Sequence, residues 1–303
     1  MGRLPSGVPH SGERTVAAES VAFVLGAHSY PAGLVSLMRE ATDAAAAACL
    51  PWLGRGDKIG IDDAAVTAMR AVLARAPFHG TVVIGEGEKD GAPMLANGEV
   101  LGGGGVPVCD VAVDPLDGTR LAAEGLPGAI CVIALAPRGT MFDPVDVFYM
   151  DKLICGAAGR GVVDIRRPIT ENLARLAAVT GASVADLVVV VLDKPRHASL
   201  IAEIRATGAQ LRLVGEGDIV AAVTAATAGT DVDVVVGIGG TPEGIIAACA
   251  VRALGGFMQG RLAPQTPEQL ALAVAAGHDL DRVLELDDLV ASEAVLFVSS
   301  TVS

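Results

Sequence analysis

Residues 231–256 read DVDVVVGIGGTPEGIIAACAVRALGG. The first part is valine-rich and apolar, as a buried strand requires. It passes through a glycine turn into PEGIIAACAVRALGG, a run of helical length closed by a glycine pair. A strand that turns through glycine into a helix is the repeating unit of layered α/β proteins. The same alternation precedes it: DLVVVVLD (186–193) predicts a strand, HASLIAEIRATG (197–208) a helix, QLRLV (210–214) a strand and Asp218–Ala228 a helix. Glycine turns between strand end and helix start are where such folds place ligands. GIGG itself resembles a dinucleotide fingerprint, but Pro242 stands where the third spaced glycine belongs.

The first half is less regular. GLVSLMREATDAAAAACLPWL (33–53) predicts a helix ended by Pro51 and Gly54, and LGRGDKIGIDD (53–63) a loop. AAVTAMRAVLARA (64–76) then has helical spacing, with Asp62 and Asp63 where N-caps sit. TVVIG (81–85), VPVCDVAVD (106–114) and GAICVIALA (128–136) predict three strands. A polar stretch, DIRRPITEN (164–172), suggests a boundary between a half spanning residues 33–165 and one spanning 166–303. Residues 1–32 look like an N-terminal extension without order of its own.

Composition narrows the function classes. The chain has 303 residues, 51% hydrophobic and 19% charged, which is the balance of a globular protein with a large core. No apolar run approaches the roughly 18 residues of a membrane span. A net charge of −13 argues against nucleic acid, whose phosphates need clustered Lys and Arg. It leaves room for an anionic small molecule, since divalent cations and a few basic residues can invert the sign inside one pocket. The five cysteines are scattered and form no CxxC pair, so a reducing, cytoplasmic compartment is expected. MGRLPS fits a myristoylation pattern, but no polybasic patch supports it.

The chemistry concentrates in acids near strand ends. Asp62, Glu86, Glu88, Asp114, Asp117 and Glu243 are read as lying in loops that follow a strand or open a helix. Each alone could be a helix cap or a solvated loop residue. As a set they offer the hard oxygen ligands that Mg2+ or Mn2+ prefers, and two such ions bridged by carboxylates suit phosphoryl displacement. The strongest piece is VDPLDGT (113–119). Pro115 stiffens a turn that aims Asp114 and Asp117 at one place, Gly118 lets backbone approach a ligand, and Thr119 adds a hydroxyl and an amide. DPxDG[ST] is the signature of Mg2+-dependent, lithium-sensitive sugar and inositol phosphatases.

A narrower resemblance runs in order from Gly33 to the end. WLGRGDK (52–58), DDAAVTAMR (62–70), VVIGEGEKDGAPML (82–95) and DPLDGTR (114–120) resemble class II fructose-1,6-bisphosphatase. So do FYMDKL (148–153), KPRH (194–197), GEGD (215–218) and GIGGTPEG (237–244). The resemblance implies an α/β fold, a layered α+β sandwich of the inositol-monophosphatase and fructose-bisphosphatase type. It also implies two or more Mg2+ or Mn2+ ions per site, and a homo-oligomer, dimer or tetramer, that takes a sugar bisphosphate. Asp62 and Glu86 would hold one metal, with Asp114, Asp117 and Glu243 on the other. Thr119, Glu88 and Asp114 would be catalytic, Thr119 against the scissile phosphate and Glu88 orienting water. Asp117, Gly118 and Thr119 would line the phosphate, while Tyr149, Lys194, Pro195 and Arg196 would meet the sugar bisphosphate. Glu216, Gly217 and Asp218 match positions that grip sugar hydroxyls, although Asp218 could equally be an N-cap; Gly240 lets backbone approach.

Three departures stand out. Glu216 replaces an Asp, Gly128 replaces an Asn, and the chain ends at Ser303 where relatives carry a β-rich tail. The last is expected to leave a sheet edge exposed. The resulting expectation is hydrolysis of the 1-phosphate of fructose 1,6-bisphosphate. The alternatives are another substrate, such as sedoheptulose 1,7-bisphosphate, or a truncated paralogue that only binds ligand or a partner subunit.

Overall fold

A computed structural model of the chain describes residues 23–85, 88–89, 92–93, 95–144 and 147–303, with only the backbone of 88–89 and 92–93. In chain order the elements are β1 (Phe23–Leu25), α1 (Ala32–Cys49), α2 (Lys58–Leu73), β2 (His79–Ile84), β3 (Glu88–Lys89), β4 (Ala92–Pro93), β5 (Val100–Leu101) and β6 (Val108–Asp117). Then follow α3 (Thr119–Glu124), β7 (Ile130–Pro137), β8 (Tyr149–Cys155), α4 (Ile169–Thr180), β9 (Val188–Leu192), α5 (Ala198–Thr207) and β10 (Gln210–Val214). The chain closes with α6 (Asp218–Ala226), β11 (Val234–Gly240), α7 (Thr241–Leu254), β12 (Phe257–Leu262), α8 (Pro267–Ala275), β13 (Leu284–Glu285), α9 (Leu286–Leu289) and β14 (Leu296–Thr301).

Two mixed six-stranded sheets carry the architecture, ordered β1-β14-β7-β6-β2-β5 and β10-β9-β11-β8-β12-β13. One hydrophobic cluster joins α1 and α2 to the outer face of the first sheet through Met38, Met69, Val111 and Ile133. Another joins α4 and α5 to the outer face of the second through Leu173, Ile204, Val189 and Leu153. Between the sheets lie α6 and α7, whose Ala222, Ile245, Ala247, Ala248 and Val251 pack with Val132 of β7 and Met150 and Ile154 of β8. Small residues explain this central placement. A helix sandwiched between sheets must be apolar on all sides and narrow, and Gly244, Ala247, Ala248 and Ala250 are all buried.

The strand-helix rhythm of residues 186–256 is present as β9, α5, β10, α6, β11 and α7. Three local readings change. The 53–63 stretch is not all loop: α2 starts at Lys58 and its N-cap is Asp57, which accepts from the Gly60 amide at 2.9 Å. Asp62 and Asp63 therefore sit inside α2 and not at its cap. Second, the DPLD motif is strand and not turn. Between the pairs Asp114–Val132 and Asp117–Ile130, β6 advances three residues where β7 advances two. That extra residue is a β-bulge, a place where Pro115 can sit without breaking a ladder bond. Third, β1 pairs Phe23, Val24 and Leu25 with Ser299, Val298 and Phe297, so residues placed in the N-terminal extension complete the first sheet. β14 is therefore an interior strand, with β1 on one side and β7 on the other.

Sheet membership does not follow the sequence halves. β8 precedes residue 165 yet lies inside the second sheet, and β14 follows it yet lies in the first. The last residues are tied back: the Gly128 amide donates to Ser303 O at 2.9 Å and the Val302 amide to Ala129 O at 2.9 Å. Among the described residues no helix is long and apolar enough to cross a membrane, and all five cysteines are free and buried.

Candidate active site

The bulge in β6 has a chemical consequence. Residues three apart on a regular strand point to opposite faces, but one inserted residue brings Asp114 and Asp117 back to the same side. Asp114 Oδ1 accepts from the Leu116 amide at 2.9 Å, so the carboxylate braces the bulge around Pro115. Gly118 then adopts φ 84°, a left-handed conformation that glycine allows without strain, and starts α3 at Thr119. The Thr119 hydroxyl donates to Leu116 O at 3.0 Å, which commits its proton and leaves its lone pairs to accept from a ligand.

These groups open into a cleft of about 540 Å3 where the strand ends of both sheets meet. From the first sheet come Asp114, Asp117, Gly118 and Thr119. From the loops of the second come Tyr149, Lys194 and Arg196, then Glu216, Gly217 and Asp218, then Gly240 and Glu243. Twelve of the expected positions thus share one cavity. Pro195 opens the short 3-10 turn between Lys194 and His197, beside the cleft and not in its lining. Asp62 lies outside the lining too, one helical turn beyond Lys58, which does line it. Glu86 lies outside the described residues, as does the side chain of Glu88.

Charge divides the cleft into two ends. At the acid end, Asp117 Oδ2, Glu243 Oε2 and Thr241 Oγ1 are buried without a hydrogen-bond partner among the described residues. Burial, then repulsion from Asp218 and Glu243, pushes the Asp117 carboxyl well above the usual carboxylate range. Burial and Asp218 push Glu243 the same way, with Lys152 opposing. The Glu243 side chain folds over Gly240, where a Cβ would stand 1.7 Å from Oε2, so a side chain there would push the Glu243 carboxylate from its place. Among the described residues no three His, Cys, Asp or Glu side chains close on one point as a metal shell.

At the basic end the groups are held. Arg196 donates from Nε and Nη2 to Ile238 O at 3.0 and 2.8 Å, and its guanidinium lies 5.1 Å from the centre of the Tyr149 ring. Phe148 meets that ring edge-on at 5.0 Å. His197, the one histidine in a suggestive motif, is 2% exposed and bonds only backbone: Leu192 O at Nδ1 (2.7 Å) and the Ile238 amide at Nε2 (2.8 Å). It braces the basic end and does not face the cleft.

Sequence reading missed several lining or supporting groups. Arg120, next to Thr119, crosses the cleft mouth and donates to Glu216 at 3.0 Å and to Glu124 at 2.9 Å. The longer Glu216, noted as a departure, is what reaches it. Lys58 and Phe148 also line the cavity. Lys152 is buried beneath it and pairs with Asp218. A lysine in the apolar strand YMDKLIC was the available signal, because a strand position flanked by buried residues seldom carries an unpaired charge.

A model of the family described as bacterial fructose-1,6-bisphosphatase, glpX-encoded, matches residues 33–303. The class 2 fructose-1,6-bisphosphatase of Haemophilus influenzae is 42% identical over 275 residues, covering 86% of this chain and 82% of that protein. Fructose-1,6-bisphosphatase 1 class 2 of Escherichia coli K12 is 40% identical over 275 residues, with the same 86% and 82% covered.

Proposed function

The chain belongs to the glpX-encoded bacterial fructose-1,6-bisphosphatases, and from that premise we propose that its cleft hydrolyses fructose 1,6-bisphosphate at the 1-phosphate, releasing fructose 6-phosphate and inorganic phosphate. The observation that carries the reading is the two-ended cleft: under-neutralised acids beside Thr119 at one end, Lys194 and Arg196 at the other. A bisphosphate needs both, one end to react and one to anchor.

The donor set at the acid end suits a hard divalent cation, because Asp117 Oδ2 and Glu243 Oε2 are buried carboxylate oxygens without a partner among the described residues. Asp114, Asp117 and Glu243 would hold Mg2+ or Mn2+ there, with Asp62 and Glu86 serving a further ion. Bound cations supply Lewis-acid neutralisation of charge on the transferring phosphoryl group. The protein's own part is positional. Thr119, its proton held by Leu116 O, presents lone pairs that orient an attacking water. Glu88 is the proposed second partner for that water. The water oxygen forms the new bond to phosphorus as the bond from phosphorus to the C1 oxygen breaks, and a proton reaches the departing alkoxide. Lys194 and the remaining donors of Arg196 neutralise the 6-phosphate, with Tyr149 holding the guanidinium plane. Glu216, Asp218 and the Gly240 backbone line the same cleft and are the groups proposed to meet sugar hydroxyls.

The names of the relatives support the six-carbon sugar over a seven-carbon one, and turnover over ligand binding alone. The test is phosphate release from fructose 1,6-bisphosphate with Mg2+ or Mn2+, product identification, and the same assay on Thr119→Ala. Fructose 6-phosphate is the expected product, with kcat reduced about a hundredfold or more in the variant. No phosphate release from wild type, or fructose 1-phosphate as product, would overturn the reading.

A further inference from the structure

Lys152 has no part in the scheme above, yet it is the most buried cation near the cleft, 2% exposed. It lies in the middle of β8, between buried Met150 and Ile154 on its own face of the strand. Its ammonium pairs with Asp218 and also donates to Gly240 O at 3.2 Å. Those two partners begin different helices. Asp218 is the first residue of α6, and Gly240 is the N-cap of α7, three residues before Glu243. One ammonium therefore ties together two segments that both line the cleft.

The packing around it is closed. A Cβ on Gly239 would stand 2.5 Å from Asp218 Oδ2 and 2.7 Å from Lys152 Nζ, and one on Gly244 would stand 3.3 Å from Lys152 Cδ. Close neighbours leave the ammonium little room, and it is Asp218, not Lys152, that lines the cavity. A structural role alone would not require the partner of a buried lysine to line a ligand cleft.

Resting on the phosphatase reading, we propose that Lys152 is a positioning residue: through Asp218 and the Gly240 carbonyl it fixes the wall that grips the sugar ring. It holds one carboxylate oxygen of Asp218, so that the other faces the cleft in a single orientation. It also holds the Gly240 backbone at the height at which a sugar hydroxyl meets it. Asp218 and Gly240 also neighbour Asp117 and Glu243 at the acid end, so the split between KM and kcat is what separates recognition of the sugar from the phosphoryl step.

The experiment compares Lys152→Met, Asp218→Asn and the double variant in the full-length protein, measuring KM and kcat for fructose 1,6-bisphosphate together with urea midpoints. Each single variant is expected to raise KM about tenfold to a hundredfold, with a smaller fall in kcat. If Lys152 works through Asp218, the double variant is no worse in KM than Asp218→Asn alone. Lys152→Met leaves Asp218 buried without its partner, so that variant could fail to fold. The double variant removes both charges and keeps the comparison with Asp218→Asn available. A folded Lys152→Met with wild-type KM would overturn the proposal. So would a double variant whose KM rises by the product of the two single effects. Either result with an active wild type leaves the phosphatase reading standing, whereas an inactive wild type sinks both.

Discussion

At the acid end of the cleft, Asp117 and Glu243 each leave a buried oxygen without a partner among the described residues. At the basic end, Arg196 and His197 hold one residue between them, Arg196 on the Ile238 carbonyl and His197 on the Ile238 amide. Both ends are built at the mouths of strands, yet one is short of partners and the other is supplied with them. On the proposed function, the difference separates two tasks. A group that must bind a cation or a phosphoryl oxygen is kept waiting in a poorly solvated place, at a cost to stability. A group that must recognise a fixed anion gains most from being held in position before the anion arrives.

The strongest way to break this contrast is Asp117→Asn. Catalytic efficiency should fall about a thousandfold, because the carboxylate is the least compensated group at the reacting end. Stability without added metal should hold or rise. The sign follows from the raised carboxyl: such a group favours the folded state fully only below its unfolded pKa, and that contribution is lost as pH climbs through the folded value. At neutral pH the wild type therefore carries the penalty and the amide does not. Urea melts at pH 7.5 with EDTA check this, and a destabilised Asp117→Asn would show that the acid end is not under tension.

A smaller effect is expected at the other end. Arg196→Lys keeps the charge but loses the fork that spans Ile238 O and the plane that lies over Tyr149. KM should rise about tenfold, with kcat changed much less. Steady-state kinetics decide it. A kcat loss equal to the KM rise would place Arg196 with the reacting end and collapse the division into two tasks.

How much of this was legible beforehand depends on the length scale of the cause. The alternation that gives β9 to α7 is local, so period and glycine punctuation reveal it. The cleft's acids were visible because a short motif concentrates several unusual residue types. What stayed hidden depended on partners distant in sequence. That Phe23–Leu25 would pair with a strand beginning at residue 296 cannot be read from three apolar residues. The bulge at Pro115 looked like a turn, because proline and two aspartates signal turns unless a neighbouring strand is known. Arg120 and Lys152 were passed over since their partners, Glu216 and Asp218, lie on another segment of chain. His197 was noticed for its motif and proved to be a brace.

That brace supplies the smallest effect, and a pH dependence of opposite sign to that of Asp117. Nδ1 must donate to Leu192 O, and Nε2 must accept from the Ile238 amide, so the ring in place is neutral. A second proton would set an N–H against an N–H. Burial holds the imidazole below its ordinary value, against the opposing pull of the Leu192 hydrogen bond. A depressed histidine contributes stability that is complete above its unfolded pKa, near 6.5, and is lost as pH falls through the folded value. Stability should therefore decline from pH 7 toward pH 5, with this one proton contributing a slope of at most about 1.4 kcal/mol per pH unit. His197→Asn should be less stable at pH 7.5, because it gives up both backbone bonds, but should lose that part of the slope. Urea midpoints at half-unit steps of pH separate the two contributions. Since Ile238 also carries Arg196, KM should drift upward in His197→Asn by less than it does in Arg196→Lys. A larger rise would mean that the clamp on Ile238, more than the guanidinium itself, sets recognition at the basic end.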